Sequence, residues 1–467
     1  MSTLPLLVAA AVPVLLGLLG SRLAAGLAAP RDGGLYRATL YFLGGAVVLH
    51  LLLTLLDLAG IPWHPLLLVV LGIALYVLGW RFLPRGPERT GGRTNFPSGL
   101  GWGDGIALLV LAVFTLLALS HWITFSDFVF HWGLKGRRFF FTRGVDYTYL
   151  ARRWSWVIHP DYPNLLPEIY AVTALLAGRF DLSAMMLEAS AFFVLLLAAA
   201  REGLRQGGAG RFTRQAGLAT IACAAGAYGI GSMIAGGADW LIALALTAAV
   251  PPLLRPPDRA GDFQVGVAAA FAAGSKIEGV PLAAFLVLVQ WGRRAWGERR
   301  LALGAGLRAG LPAAAVVLLW LYRLSHDHLF QALSAAGPFD PSRAPGILAA
   351  TLEALRTPAW HGLLWTMFLP PLLLVHRRAR PFAIAATLEI LFYFYTYFTS
   401  ISAIEPRLFV ISSFARLGFQ VIPASLVVAL VAWGESRRED LSGNEEGGDK
   451  PRPDEGTDAG ASVSAAS

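Results

Sequence analysis

Three residues able to move or hold protons follow one another at four-residue intervals: Asp127, His131 and Lys135. A carboxylate can take the proton of an attacking hydroxyl, and a histidine can share one. On a helix that spacing sets the three side chains on one face. A second group, His159-Pro160-Asp161-Tyr162-Pro163, lies further along. Its two prolines exclude regular helix and predict an extended turn that presents the His, Asp and Tyr groups together. Six cations stand in the same stretch: Lys135, Arg137, Arg138, Arg143, Arg152 and Arg153. They suit an anionic ligand, or simply lipid headgroups met along an interfacial helix. Asp127 itself reads either as a site acid or as a solvated acid at a helix end, and Asp161 as a ligand contact or a helix cap.

Further candidates lie downstream. Asp239 follows Gly236-Gly237-Ala238, where glycine permits close backbone approach and the acid can cap a helix or serve a site. Lys276 and Glu278 interrupt two short apolar runs, and charges at a break of this kind line cavities, or pair with each other. Arg416 and Gln420 share a helix face, and an arginine there can grip phosphate bidentately or snorkel to the headgroups. His326, Asp327 and His328 resemble a metal cluster only weakly and read as a solvated loop.

The elements that must position these groups are membrane helices. The chain is 56% hydrophobic and 15% charged with a mean hydropathy of +0.58, which excludes a soluble globular protein. The net charge of +8 is spread in short arginine clusters between apolar runs, so it argues for membrane topology and against nucleic-acid binding. Cys223 stands alone, so neither an intramolecular disulfide nor a cysteine metal site can form. Apolar runs of span length predict an all-α polytopic bundle of roughly thirteen helices. The expected runs are 4–28, 38–59, 65–83, 106–125, 182–200, 216–235, 239–254, 263–274, 279–291, 305–324, 360–375, 382–400 and 417–433. The first is read as a retained helix, without the basic start of a removed signal. The pair flanking residues 275–278 is short enough for a hairpin that does not fully span.

Three regions follow. Residues 1–103 form N-terminal helices and a linker, residues 104–434 the region with the candidate site, and residues 435–467 a Gly/Ser/Asp/Glu-rich tail predicted to be disordered. A large external loop, 126–181, carries interfacial helices, with 164–178 lying in or re-entering the membrane face. Arginine clusters around Arg31/Arg37, Arg81 to Arg93, Arg201 to Arg214, Arg255/Arg259, Arg293 to Arg300 and Arg377 to Arg380 fall on one side, which the positive-inside rule makes cytoplasmic. The protein is then expected in the cytoplasmic membrane, with its C-terminus inside and the loop outside. The loop's own cations break the rule, and an anionic ligand at that surface is one reason to keep them.

Taken in order, these motifs resemble the GT-C class of integral membrane glycosyltransferases, in particular bacterial protein-mannosyltransferase and Rgt-like members. The resemblance rests on Asp127, His131, Trp132 and Lys135, then HPDYP, Asp239, Lys276-Ile277-Glu278-Gly279, and Ser412, Arg416, Gln420 and Pro423. It covers most of the chain after about residue 100 and implies a polyprenyl-phosphate-linked sugar donor. The acceptor is a lipid, glycan or protein, and transfer inverts the anomeric carbon. In that reading Asp127 is the general base, and Lys135, Arg137, Lys276 and Arg416 bind the donor phosphate. His131, Trp132, His159, Asp161, Tyr162, Asp239, Glu278 and Gln420 contact substrate. No metal or organic cofactor is expected, although Ser126-Asp127 stands where paired acids are common, which leaves the second acid and metal dependence open. The rival readings are a secondary transporter or lipid flippase, favoured by charges at a broken helix but lacking an internal repeat, and a non-catalytic envelope-assembly protein.

Overall fold

The computed structural model describes residues 3–23, 29, 31–82, 100–152, 158–329, 337–357, 362–399 and 405–446. Its regular elements are helical. In chain order they are α1 (Leu4–Leu23), α2 (Gly34–Leu58), α3 (Pro65–Phe82), α4 (Trp102–Leu119), α5 (Gly133–Thr142), α6 (Tyr147–Leu150), α7 (Leu165–Ala177), α8 (Leu182–Gln206), α9 (Arg211–Gly231), α10 (Asp239–Leu254), α11 (Arg259–Ser275), α12 (Gly279–Glu298), α13 (Leu303–His326), α14 (Ala344–Arg356), α15 (Leu369–Leu372), α16 (Arg380–Thr399) and α17 (Pro406–Glu446). Among the described residues strand pairing is confined to one isolated bridge, Thr124 with Ala235.

Among the described residues eight helices are long and apolar enough to cross a membrane: α1 to α4, α8, α13, α16 and α17. The chain is therefore a multi-pass, all-helical membrane protein. The five other expected crossings fall on α9 to α12 and on residues 363–375, which do not meet that measure. Residues 363–375 are broken into two 3₁₀ segments around α15, where Pro370 and Pro371 stand. Such helices are accommodated by protein neighbours. All sixteen residues of α10 are buried, with α8, α11 and α17 packed around it. By contrast α3 exposes Leu66, Val70, Ile73 and Val77, the apolar surface a lipid-facing helix presents.

Two expectations about the ends need correction. Helix α7 does not lie along an exposed surface, which leaves the re-entrant alternative: all of its residues but Leu176 are buried, against α1, α2, α5 and α11. The tail does not begin at 435, because α17 continues to Glu446 through a stretch rich in Glu and Arg, which are good helix formers. Residues 447–467, Arg85, Arg89, Arg93 and Arg153 lie outside the described residues.

The bundle has two polar ends, separated along α10 by 16 residues, roughly 24 Å of helix. At the C-terminal end of α10 arginines from four of the clusters predicted to share a side meet. Arg255 bonds Asp32 at 3.0 Å and Gln264 at 2.6 Å, and Arg293 donates to the Arg255 carbonyl at 2.6 Å. Arg31 reaches Asp258, and Arg378 spans the Gln206 and Leu254 carbonyls and Glu435. The buried Asp262 is held by Arg308 and Gln290. At the other end, residues 276–278 turn α11 into α12 so tightly that a side chain on Gly279 would meet the Ala272 carbonyl at 1.9 Å.

Arg255 and Asp32 are both almost wholly enclosed, so removing one leaves the other as an uncompensated buried charge. Arg255→Ala is expected to cost about 3 kcal/mol, read as a fall of several degrees in the thermal melt of the detergent-solubilised protein.

Candidate functional site

The second polar end collects the chemistry. After α4 the chain turns back into the bundle and pairs, in a parallel bridge, with the α9–α10 connection. Phe125 donates to the Ala235 carbonyl at 3.0 Å and Ala235 to the Ile123 carbonyl at 3.2 Å. Gly236 makes this possible: its φ of +85° suits glycine, and an added Cβ would lie 2.7 Å from Phe128. The pairing sets Asp127 beside the start of α10, where Asp239 stands. A π-helical turn, Phe128–Trp132, follows and leads into α5. Such single π turns concentrate at functional sites.

Three cations and four acids meet here. Arg416 of α17 donates to Asp127 at 2.5 Å, with its guanidinium 5.2 Å from the centre of the Phe125 ring. One turn on, Gln420 donates to Asp239 at 2.5 Å and accepts from Tyr393 of α16 at 2.6 Å. Lys276, held extended where α11 ends, lies 3.1 Å from Asp239 and 3.1 Å from Glu278. Lys135, fully buried on α5, donates to the His159 carbonyl at 2.6 Å, and the charge of Asp161 favours its protonated form.

An aromatic wall joins these groups. His131 stacks on Trp132 at 3.9 Å between ring centres, and His159 on Tyr162 at 4.5 Å, with His131 and His159 5.0 Å apart. Burial, then the Lys135 charge, pushes both imidazoles down, His159 to about 4 and His131 well below its ordinary value. Burial likewise brings Lys135 down to about 7, and Asp161 opposes that shift. Lys276 and Arg416 also act on both histidines, which places loop and helices in one electrostatic environment. Among the buried polar atoms that have no hydrogen-bond partner in the described residues are His131 Nε2, Asp239 Oδ2 and Glu278 Oε2. Unmet polar atoms of this kind, grouped in one place, are where polar groups of a ligand bind.

Of the residues singled out in the sequence, the fold brings together Asp127, His131, Trp132, Lys135, His159, Asp161, Tyr162, Asp239, Lys276, Glu278, Arg416 and Gln420. Arg137 is not among them: it is exposed on α5 and stacks on Phe141 at 5.6 Å. The shared helix face expected for Asp127, His131 and Lys135 is not what assembles them, because the π turn changes the register between the first and the last. The turn at Pro160 also differs. His159 adopts φ +47°, a left-handed conformation in place of an extended one, and its carbonyl accepts from both Tyr162 and Lys135. Asp327 is not free in solvent but pairs with Arg323 at 3.1 Å, and no group of three metal-ligating side chains occurs among the described residues.

Sequence reasoning missed Tyr393 and the fully buried Glu389 one turn before it, although a lone acid in an apolar helix is itself a signal. It also missed a neighbouring polar cavity of about 20 Å³ that shares Tyr162 with the site. There His50 of α2 meets Glu168 of α7 at 2.6 Å, and Arg323 lies over the Tyr147 ring at 3.8 Å.

No protein-family model, curated protein or solved structure matches this chain. The class that fold and composition define is thus a multi-pass helical membrane protein with a buried charge cluster at one end.

The histidines give the site a pH signature. The unfolded chain binds protons at these imidazoles below about pH 6.5, whereas the folded chain holds His159 neutral down to about 4. Stability contributed by the neutral rings is therefore present above that unfolded value and lost as the pH falls toward about 4. The thermal melt is expected to drop across this window in the wild-type protein and to flatten in His131→Gln/His159→Gln.

Proposed function

We propose that the chain is a membrane glycosyltransferase that moves a sugar from a polyprenyl-phosphate donor to an acceptor hydroxyl, inverting the anomeric carbon. The observation that carries this reading is the convergence of a half-exposed carboxylate, Asp127, with Arg416 and Lys276 beside a wall of Trp132, His159 and Tyr162. Asp127 accepts the proton as the acceptor oxygen attacks the anomeric carbon. The bond from that carbon to the phosphate oxygen breaks, and the lipid phosphate leaves with the electron pair. Arg416, Lys276 and Lys135 stabilise the charge developing on the leaving oxygens, and their enclosed position strengthens that effect. Arg137 has no part in this site. His131, Asp239 and Glu278 supply acceptors for sugar hydroxyls, and the flat rings supply stacking surface.

The arginine-rich end of the bundle supports placing the site on the outer face of the cytoplasmic membrane, since arginine-rich loops stay cytoplasmic. The same rule puts the C-terminus inside. A second reading has one specific observation in its favour: Lys276 and Glu278 at a helix break, with Glu389 deep in α16, follow the layout of a transporter or lipid flippase.

Purified protein supplied with a panel of polyprenyl-phosphate sugars and acceptors is expected to release lipid phosphate, and Asp127→Asn to slow that release at least about 100-fold. Unchanged turnover in Asp127→Asn removes the base assignment. Sugar-lipid movement across proteoliposomes without any bond cleavage favours the transporter.

A further inference from the structure

The cations of the site are already engaged, and this limits how an anion can enter. Lys135 is bonded to the His159 carbonyl and faces Asp161, Lys276 lies between Asp239 and Glu278, and Arg416 is on Asp127. Lys135, Lys276 and Arg416 stand among the carboxylates Asp127, Asp161, Asp239 and Glu278, and each already has a partner. A phosphate headgroup arriving at this cluster must therefore take a cation away from the partner it has.

The pairs differ in how easily that exchange can happen. The Lys276 and Asp239 side chains are 7% and 1% exposed, and Gln420 holds Asp239 as well, so parting them strands charge in a dry interior. The Arg416 and Asp127 side chains are 25% and 38% exposed, so water can solvate the carboxylate as it is released. The Phe125 ring beneath Arg416 keeps its guanidinium in place while its partner changes, and a guanidinium matches phosphate oxygens with paired donors.

We propose that the Arg416–Asp127 ion pair is a lock operated by the substrate: the phosphate ester of the donor takes the guanidinium from Asp127, and only then is that carboxylate oxygen available to the acceptor hydroxyl. The lock rests on the glycosyl-transfer reading and adds to it an order of events. Donor engagement precedes base release, so the site holds no free base until a donor occupies it.

Binding separates the two ideas. Farnesyl phosphate and inorganic phosphate are titrated against the purified full-length protein in detergent, with Asp127→Asn, Asp127→Ser, Arg416→Gln and Asp127→Asn/Arg416→Gln beside the wild type, each checked by its thermal melt. Removing the competing acid is expected to tighten farnesyl phosphate about tenfold, a step of about 1.4 kcal/mol. Arg416→Gln weakens binding by a similar factor, and the double variant behaves as Arg416→Gln alone. Equal tightening with inorganic phosphate keeps the lock and assigns it to the free anion; tightening confined to farnesyl phosphate assigns it to a lipid headgroup. If Arg416→Gln weakens binding while folded Asp127→Asn and Asp127→Ser bind no better than wild type, the lock is wrong and the phosphate site stands. If Arg416→Gln changes nothing, the phosphate reading fails and the lock with it. Wild-type protein gives a readout independent of variant folding. Carbodiimide coupling of glycine amide to Asp127, followed by mass spectrometry, is expected to rise severalfold when sulfate or a long-chain alkyl sulfonate is added, and a flat response to both overturns the proposal.

Discussion

Lys276 held between Asp239 and Glu278 is the contact on which the rest of this structure depends. A lone ammonium enclosed in an apolar bundle carries a large desolvation cost, so its two acids are a condition of the fold. Meeting that condition fixes three elements at once. The extended backbone at Lys276 breaks α11 from α12, Asp239 sets the start of α10, and Gln420 ties α17 to the same carboxylate. Tyr393 extends the chain of contacts to α16. A central helix buried on every residue, as α10 is, can then be anchored by polar contacts at its ends while its sides remain apolar.

The two ends of the bundle solve the problem of charge differently. Around Arg255 the contacts run between protein groups, with Asp32, Gln206 and Gln264 as acceptors, and the Nε of Arg255 is left without a hydrogen-bond partner among the described residues. Around Lys276 and Arg416 the balance is incomplete. Acceptors on His131, Asp239 and Glu278 stay unmet among the described residues, and the histidines stay neutral against nearby cations. Cations tied to protein acceptors suit a structural tie, whereas unmet acceptors suit a place where the donors of something else bind.

Much of this was legible in the sequence, for physical reasons that can be named. An ionisable residue inside an apolar run is costly enough to announce itself, so Asp127, Asp239, Lys276 and Arg416 could be picked out without coordinates. The Gly-Gly before Asp239 announced a close approach, and Phe125 and Phe128 are what approaches. Helix regularity misled where backbone geometry changed locally. The four-residue spacing from Asp127 assumed an α-helix and met a π turn, and the proline rule for His159 met a left-handed residue. Arg137 looked equivalent to Lys135, but burial separates them: one faces the bundle and the other lies against Phe141. Spans such as α9 to α12 were harder to judge, because a helix covered by protein on most sides need not be apolar enough to face lipid.

The contact between Asp127 and Arg416 closes over 289 positions of chain. A membrane protein is inserted from its N-terminus as it is made, and helices that enter early wait for later ones. The loop bearing Asp127, the start of α10 and the break at Lys276 are all synthesised before α17 exists. Until that last long helix arrives, Asp127 lacks its cation and Asp239 lacks Gln420. Docking of α17 is therefore the step that supplies both partners and completes the cluster.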